Sequence, residues 1–361
     1  MQYYGFSLAG AYPQRPHAQA LGDLLDAVEA ADRLGFDGWF FAEHHVDANF
    51  SLTPSPNLLI AAASRRTQRL RLGNMVNVLP FHHPLRVAEE IRMLDLLTGG
   101  RLEVGFGRGQ VRIEQGAFGT EREATVKMFD AAFDLIRRLL HGEHVNYDTP
   151  WWRGCAAAVI PEATQRPVPP MWLSAASDTS IEKAAQLGLN CATALLPRAV
   201  ADARLAEFKS HWDRYNADRK GGGRFAITAN IAVADSFEAA YAQVTQDFAK
   251  KQEHFARSIT DRPGDDDRTY LSHRPNYEAF ATADAHALLA NHLLVAGNVD
   301  QCREQVAAIR QRGIDVLICT FHTPQSDPEF CKRSMELFAR EVIPHVEREH
   351  AAAKPAARAA V

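Results

Sequence analysis

The sequence predicts an α/β fold, a (β/α)8 TIM barrel with insertions after strands 4 and 7. Three observations predict it. Segments of strand and helix character alternate nearly throughout the 361 residues, the pattern of a parallel α/β architecture. The strand candidates are near-continuous apolar runs, as expected where a parallel sheet is covered on both faces. Eight of them, spread over this length, suit one closed barrel with insertions better than an open doubly wound sheet.

In chain order the strands are expected at 3–8, 38–42, 70–78, 101–105, 170–174, 190–194, 225–233 and 316–321. Helix patterns fall between them at 19–34, 55–66, 84–97, 122–141, 179–187, 199–215, 236–257 and 299–312, with a last one at 327–346. Thr179, followed three residues later by Glu182, has the spacing of a capping box that starts the helix after strand 5. Two connections, 142–169 and 258–283, exceed the usual length of roughly 2 to 6 residues and read as insertions. The first carries Tyr147, Trp151 and Trp152 and is expected to form a hairpin beside the barrel. The second, with Asp261-Arg-Pro-Gly-Asp-Asp-Asp-Arg, is expected to be a surface loop able to cover the mouth. Residues 1–349 are taken as one barrel domain. The alanine-rich stretch 350–361, interrupted by Pro355, is expected to be a disordered tail.

Bulk properties narrow the function. A net charge of −4 gives no basic footprint for nucleic acid or an anionic membrane. No apolar run reaches the roughly 18 residues of a spanning helix, and the first residues lack a cationic leader, so a cytoplasmic location is expected. Five cysteines without Cys-x-x-Cys spacing argue against zinc, a redox dithiol or a disulfide framework, and most are expected to pack as small core residues. No His-Glu-x-x-His or Gly-x-Ser-x-Gly pattern appears, which leaves no metal site and no nucleophile elbow to assign.

The richest segment is Phe36 to His45, Phe-Asp-Gly-Trp-Phe-Phe-Ala-Glu-His-His, where an apolar strand stops on a carboxylate and two imidazoles. Polar residues at the C-terminal end of a barrel strand are where such folds do chemistry, although a helix cap with solvated histidines would account for the same residues. In Arg101-Leu-Glu-Val-Gly-Phe-Gly-Arg-Gly a strand runs into three glycines that let a ligand approach the backbone. Arg108 there offers a planar, permanently charged fork suited to a phosphate. The Gly-x-Gly-x-Gly spacing is not the dinucleotide fingerprint. Ser174, Ser177 and Thr179 surround the start of a helix, a phosphate cradle if it is more than an ordinary cap. Asn74 and Asn77 interrupt a buried strand, where each amide needs a partner that a planar polar ligand could supply. His82 and His83 precede the helix that starts at Pro84 and read as structural or solvated.

Together Glu43-His44-His45, the Val78-Leu-Pro to Ala88-Glu-Glu stretch and Thr98-Gly-Gly-Arg-Leu-Glu-Val-Gly-Phe-Gly-Arg-Gly closely resemble the bacterial luciferase-like flavin monooxygenases. The likeness is dense over 35–120 and continues through Ser174 to Thr179 and Val295-Ala-Gly-Asn-Val-Asp. The insertions match poorly. The resemblance implies a barrel that binds reduced FMN at its C-terminal mouth, usually as a dimer, with reduced flavin supplied by a separate flavin reductase and O2 as co-substrate. It implies His44 as the catalytic histidine, Arg108, Ser177 and Thr179 on the phosphate side, and a non-prolyl cis peptide at Met75-Val76. Asn74 and Ser174 complete the expected cofactor contacts.

Departures from the luciferase α subunit occur at Gly107, where a cysteine would stand, at Ala176 in place of a glutamate, and at Val126 in place of a phosphate-binding arginine. Light emission is not expected, and Lys127 is the candidate to supply the missing charge. The function these residues imply is FMN-dependent oxygenation of a small, mostly apolar substrate, with Phe81, Phe106, Trp39, Phe321 and His322 as candidates near the mouth. Glu43 is the candidate to orient His44. A deazaflavin-dependent hydride transferase on the same barrel, or a non-catalytic partner subunit of a heterodimer, are the rival readings.

Overall fold

The computed structural model describes residues 1–8, 15–48, 50–156, 158–219, 221–245, 249, 252, 279–280, 282–322 and 327–358. Eight parallel strands close into a barrel in the order β11 (Val316–His322), β1 (Gln2–Ser7), β2 (Gly38–Phe41), β3 (Arg71–Val78), β4 (Leu102–Gly107), β7 (Met171–Ser174), β8 (Asn190–Thr193) and β9 (Phe225–Val233). Pairing of β9 with both β8 and β11 completes the ring. All eight match the runs expected from sequence, because a strand buried on both faces leaves an unbroken apolar trace.

Alternation along each strand divides the core in two. Tyr4, Phe40, Trp172, Ala192, Ala226, Val316 and Ile318 fill the barrel interior, with Met75 packed against them. Tyr3, Trp39, Phe41, Phe106 and Phe321 point outward into the larger core beneath the helices. Tyr4 stacks on Phe40 with ring centroids 5.1 Å apart, and Phe40 meets Trp172 edge-on at 5.8 Å. Such pairs contribute about 0.5 to 1.5 kcal/mol each beyond their burial.

The N-terminal end of the barrel is closed by charge. Glu103, 1% exposed, accepts hydrogen bonds from the Tyr4 hydroxyl (2.9 Å), Arg71 Nε (2.6 Å), Arg224 Nη2 (2.9 Å) and the Trp172 indole. The Arg224 guanidinium also lies 4.6 Å from the Trp172 ring centroid. Two cations and two neutral donors satisfy one buried carboxylate, the condition under which such a charge can be kept inside.

The first insertion forms the expected hairpin, β5 (Val145–Asp148) against β6 (Arg153–Ala156). The second lies almost entirely outside the described residues. Several elements among the described residues differ from the sequence expectation. A ninth strand, β10 (Leu294–Gly297), pairs with residues 230–233 of β9, which is long enough to serve β11 and β10 in turn. A short helix, α4 (Arg112–Ala117), follows β4 where six residues offer too little periodicity to detect. The last helix, Ile343–Arg358, extends past the end expected at 346. Four cysteines are buried as expected and Cys155 is exposed. Among the described residues no helix is long and apolar enough to cross a membrane.

Candidate active site

The strand that ends in Glu43-His44-His45 delivers its side chains by parity. Gly38 and Phe40 face the barrel interior, and Ala42 continues that face with Leu8 and Phe50. His44 comes next in the same alternation, above the barrel at its C-terminal mouth, where the Phe50 ring meets it edge-on at 4.6 Å. Its backbone N–H donates to Thr53 O at 3.3 Å, and Val46, at φ +56°, turns the chain away.

His44 Nδ1 lies 2.9 Å from Glu114 Oε1, and the same oxygen accepts the backbone N–H of His45 at 2.9 Å. Glu114 is 2% exposed and stands on α4. Because a carboxylate accepts, Nδ1 donates, which leaves Nε2 of His44 for other partners. Glu43 shares no hydrogen bond with His44. Its carboxylate lies on the outward side, where Oε1 meets His45 Nε2 at 3.1 Å and His82 Nε2 at 2.8 Å, and Oε2 accepts the Val78 N–H at 3.1 Å.

The ends of β3, β4 and β7 and the helix after β7 enclose a cavity of about 320 Å³. Its walls bring together Val76, Arg108, Ser174, Ser177 and Thr179, five of the eight residues expected from sequence. The Met75-Val76 peptide is cis, at an irregularity where Asn74 pairs with Val104 and Asn77 with Phe106, so that β3 carries an extra residue and Val76 projects over Gly107. A Cβ on Gly107 would stand 2.5 Å from Val76 Cγ2. Glycine is required there by close approach.

Below Ser174 begins helix α6 (Asp178–Gln186). Its cap is Ser177 rather than Thr179: the Ser180 N–H donates to Ser177 Oγ at 3.2 Å and the Ser177 N–H to Ser180 Oγ at 3.0 Å, a capping box two residues earlier than expected. Thr179 Oγ1 sits 3.1 Å from Ser177 Oγ, so three hydroxyls cluster at the positive end of the helix. Lys183, one turn on, faces the cavity beside Asp130 and over the Phe129 ring. Lys127, the candidate to supply the missing charge, does not line the cavity.

Asn74 and Met75, also expected at the cofactor, are not among the residues lining this cavity. Asn74 donates to Asn57 Oδ1 at 2.9 Å and accepts the Gly105 N–H at 2.8 Å, so its amide finds its partners within the protein. Met75 packs in the barrel interior. Asn77 Nδ2 is buried with no hydrogen-bond partner among the described residues. Trp39, Phe106 and Phe321 point into the outer core and not the mouth. Phe81 stacks on Phe118 at 4.5 Å, and both rings meet His45 edge-on. The His322 side chain is outside the described residues.

A family model described as luciferase-like monooxygenase matches residues 1–316. The chain belongs to the luciferase-like monooxygenase family. Limonene 1,2-monooxygenase of Rhodococcus erythropolis is 28% identical over 333 residues, covering 90% of this chain and 81% of that one. The oxygenase component of the flavin-dependent trigonelline monooxygenase of Acinetobacter baylyi is 29% identical over 209 residues, 55% of each chain. Monooxygenase RslO1 from Streptomyces bottropensis shares the fold with a TM-score of 0.82 at 25% identity, covering 96% of this chain and 99% of that one. Glu114, against His44, and Lys183, on the cavity wall, are site residues that no sequence pattern marked. Only the fold brings either one to the site.

Proposed function

We propose that the chain is the oxygenase component of a two-component, FMN-dependent monooxygenase that acts on a small, mostly apolar organic substrate. It takes reduced FMN from a flavin reductase and works in the cytoplasm as a homodimer. The observation that carries this reading is the cavity itself, which gathers Val76, Arg108, Ser174, Ser177 and Thr179 from three separate stretches of chain at the mouth of the barrel.

The residues fit a flavin mononucleotide. The hydroxyls of Ser177, Thr179 and Ser180 at a helix N-terminus, with Arg108 and Lys183 nearby, suit a phosphate monoester. The side chain that glycine omits at position 107 leaves a flat wall against Val76. Reduced flavin, when bound, supplies the electrons that activate O2. His44, held by Glu114 through Nδ1, is placed to exchange a proton at Nε2, and Phe50 shields one side of its ring from water. The aromatic surroundings of the two histidines, Phe50, Phe81 and Phe118, favour an apolar substrate. Leu58, Met93, Leu96 and Leu97, exposed on the neighbouring helices Pro56–Ser64 and Pro84–Leu97, support a second copy of the chain as partner.

Anaerobic titration with reduced FMN and, separately, with reduced deazaflavin tests the cofactor. Tighter binding of the deazaflavin would overturn the FMN assignment. With a generic flavin reductase, 18O2 and a panel of small apolar alkenes, ketones and aromatics, one labelled oxygen atom is expected in a product. Flavin-dependent O2 uptake no faster than that of free flavin would sink the oxygenase reading.

A further inference from the structure

We propose that Glu43 is a positioning residue, a buried carboxylate shared by His45 and His82 that fixes the His44 segment and ties its placement to the protonation of a histidine at the protein's rim. The proposal rests on the reading of His44 as the reacting histidine. Glu43, with a fully buried side chain, is tied by one oxygen to two imidazole Nε2 atoms and by the other to the Val78 N–H. This joins the end of β2, the end of β3 and the turn before the helix Pro84–Leu97 at a single point.

His45 transmits the constraint. Its ring is held at Nε2 by Glu43 and clamped by Phe118 at 4.6 Å and Phe81 at 5.8 Å. Its backbone N–H donates to Glu114 Oε1, the oxygen that also meets His44 Nδ1. One residue thus links the two buried carboxylates, by its ring to Glu43 and by its backbone to Glu114.

His82 is where solvent reaches the network. Its side chain is 34% exposed and lines a separate cleft of about 540 Å³ with His83, Thr120, Glu121, Trp151 and Trp152. Burial alone would raise the Glu43 carboxyl, but hydrogen bonds from His45 and His82, the His82 charge and the Val78 N–H together hold it below its ordinary value. Burial alone would likewise lower His82, yet the Glu43 hydrogen bond and charge, with Glu90 behind, hold the imidazole above its ordinary value of 6.5. The other titratable groups around the triad are Glu90, whose charge acts on His82, Glu114 and His44, joined through the His45 N–H acceptor, and His83 and Glu121, which share the His82 cleft. The sign follows. The imidazolium–carboxylate pair is complete between the lowered Glu43 value and the raised His82 value, and is lost as pH rises through the latter.

Full-length protein labelled at histidine Cε1 tests this by NMR without flavin. His82 and His44 are assigned by loss of their signals in His82→Gln and His44→Gln. Glu43→Gln is expected to lower the His82 midpoint by about one pH unit, a tenfold loss of proton affinity, and to move the His44 signal. A His82 midpoint unmoved by Glu43→Gln, or a His44 signal indifferent to both Glu43→Gln and His82→Gln, overturns the proposal. Circular dichroism of each variant checks that it is folded, and Glu43→Asp, which keeps the charge, should restore the His82 midpoint in part. In a second arm, reoxidation of reduced FMN is followed in excess protein from pH 6 to 9. The wild type should change rate across the His82 midpoint, and Glu43→Gln and His82→Gln should lose that dependence. Superimposable pH profiles would refute the link. If no variant nor the wild type alters free-flavin reoxidation, the oxygenase reading fails, while the NMR arm still decides the role of Glu43.

Discussion

Glu114→Gln isolates the chemical role of the carboxylate that holds His44. The substitution keeps size and shape at a position only 2% exposed, so packing is preserved and charge alone is lost. Two hydrogen bonds of 2.9 Å converge on one oxygen, from His44 Nδ1 and the His45 backbone. A hydrogen bond to a charged group contributes about 1.5 to 3 kcal/mol and a neutral one about 0.5 to 1.5, so the amide sacrifices about 1 to 1.5 kcal/mol of hold on the imidazole. At 1.36 kcal/mol per decade, that corresponds to roughly a five- to thirteenfold slower step at His44. Glu114→Ala, which strands a buried His45 N–H as well, should cost about a hundredfold. Single-turnover stopped-flow at saturating reduced FMN reads the rate, and equilibrium titration of the same variants reads affinity, expected to change less than about twofold. A Glu114→Gln variant at the wild-type rate beside a slowed His44→Ala would refute the orienting role. A variant that loses affinity at an unaltered rate would move Glu114 from the reaction to the cofactor.

Three further outcomes follow from the geometry. Glu103→Ala leaves Arg71 and Arg224 without their buried partner and should cost about 3 to 5 kcal/mol. With an unfolding entropy of about 2.1 cal/mol/K per residue, this chain should melt about 4 to 7 °C lower, a shift that differential scanning calorimetry resolves. In Gly107→Ala the new methyl meets Val76 and drives it into the cavity, so reduced-FMN affinity measured by anaerobic titration should fall about tenfold while the fold loses about 1 to 3 kcal/mol. Ser177→Ala removes the cap of α6 and one hydroxyl of the cradle; it should cost about 1 kcal/mol in urea denaturation and weaken FMN several-fold more than riboflavin, which lacks the phosphate.

What the sequence disclosed and what it hid follow from how far apart the cooperating residues stand. Eight strands were legible because each is an apolar run buried on both faces, and Arg108 and Ser177 because each sits where such a run breaks. The cap was misplaced by two residues because Ser177-Asp-Thr-Ser and Thr179-Ser-Ile-Glu both satisfy the same spacing, and only the point where β7 ends chooses between them. Glu114 stayed hidden because a six-residue helix has no periodicity and its partner lies 70 residues away. The partners of Glu43 were hidden for the opposite reason. Adjacency in sequence suggested a pair with His44, but the two-residue repeat of a strand sends neighbours to opposite faces. Asn74 was read as awaiting a ligand because its partners, Asn57 and the Gly105 backbone, come from elements that no local pattern connects.

The charged closure around Glu103 has a bearing on traffic. With Arg71, Arg224, Tyr4 and Trp172 locked across the N-terminal end, the barrel is a vessel with a sealed base, and on the proposed reading cofactor, substrate and product would share the doorway at the opposite rim. Molecules using one doorway queue: what enters first and deepest leaves last. Turnover in such a vessel is governed by the order of arrivals, and a substrate that arrives ahead of the flavin acts as an obstruction, visible as inhibition at high substrate concentration that more reduced FMN relieves.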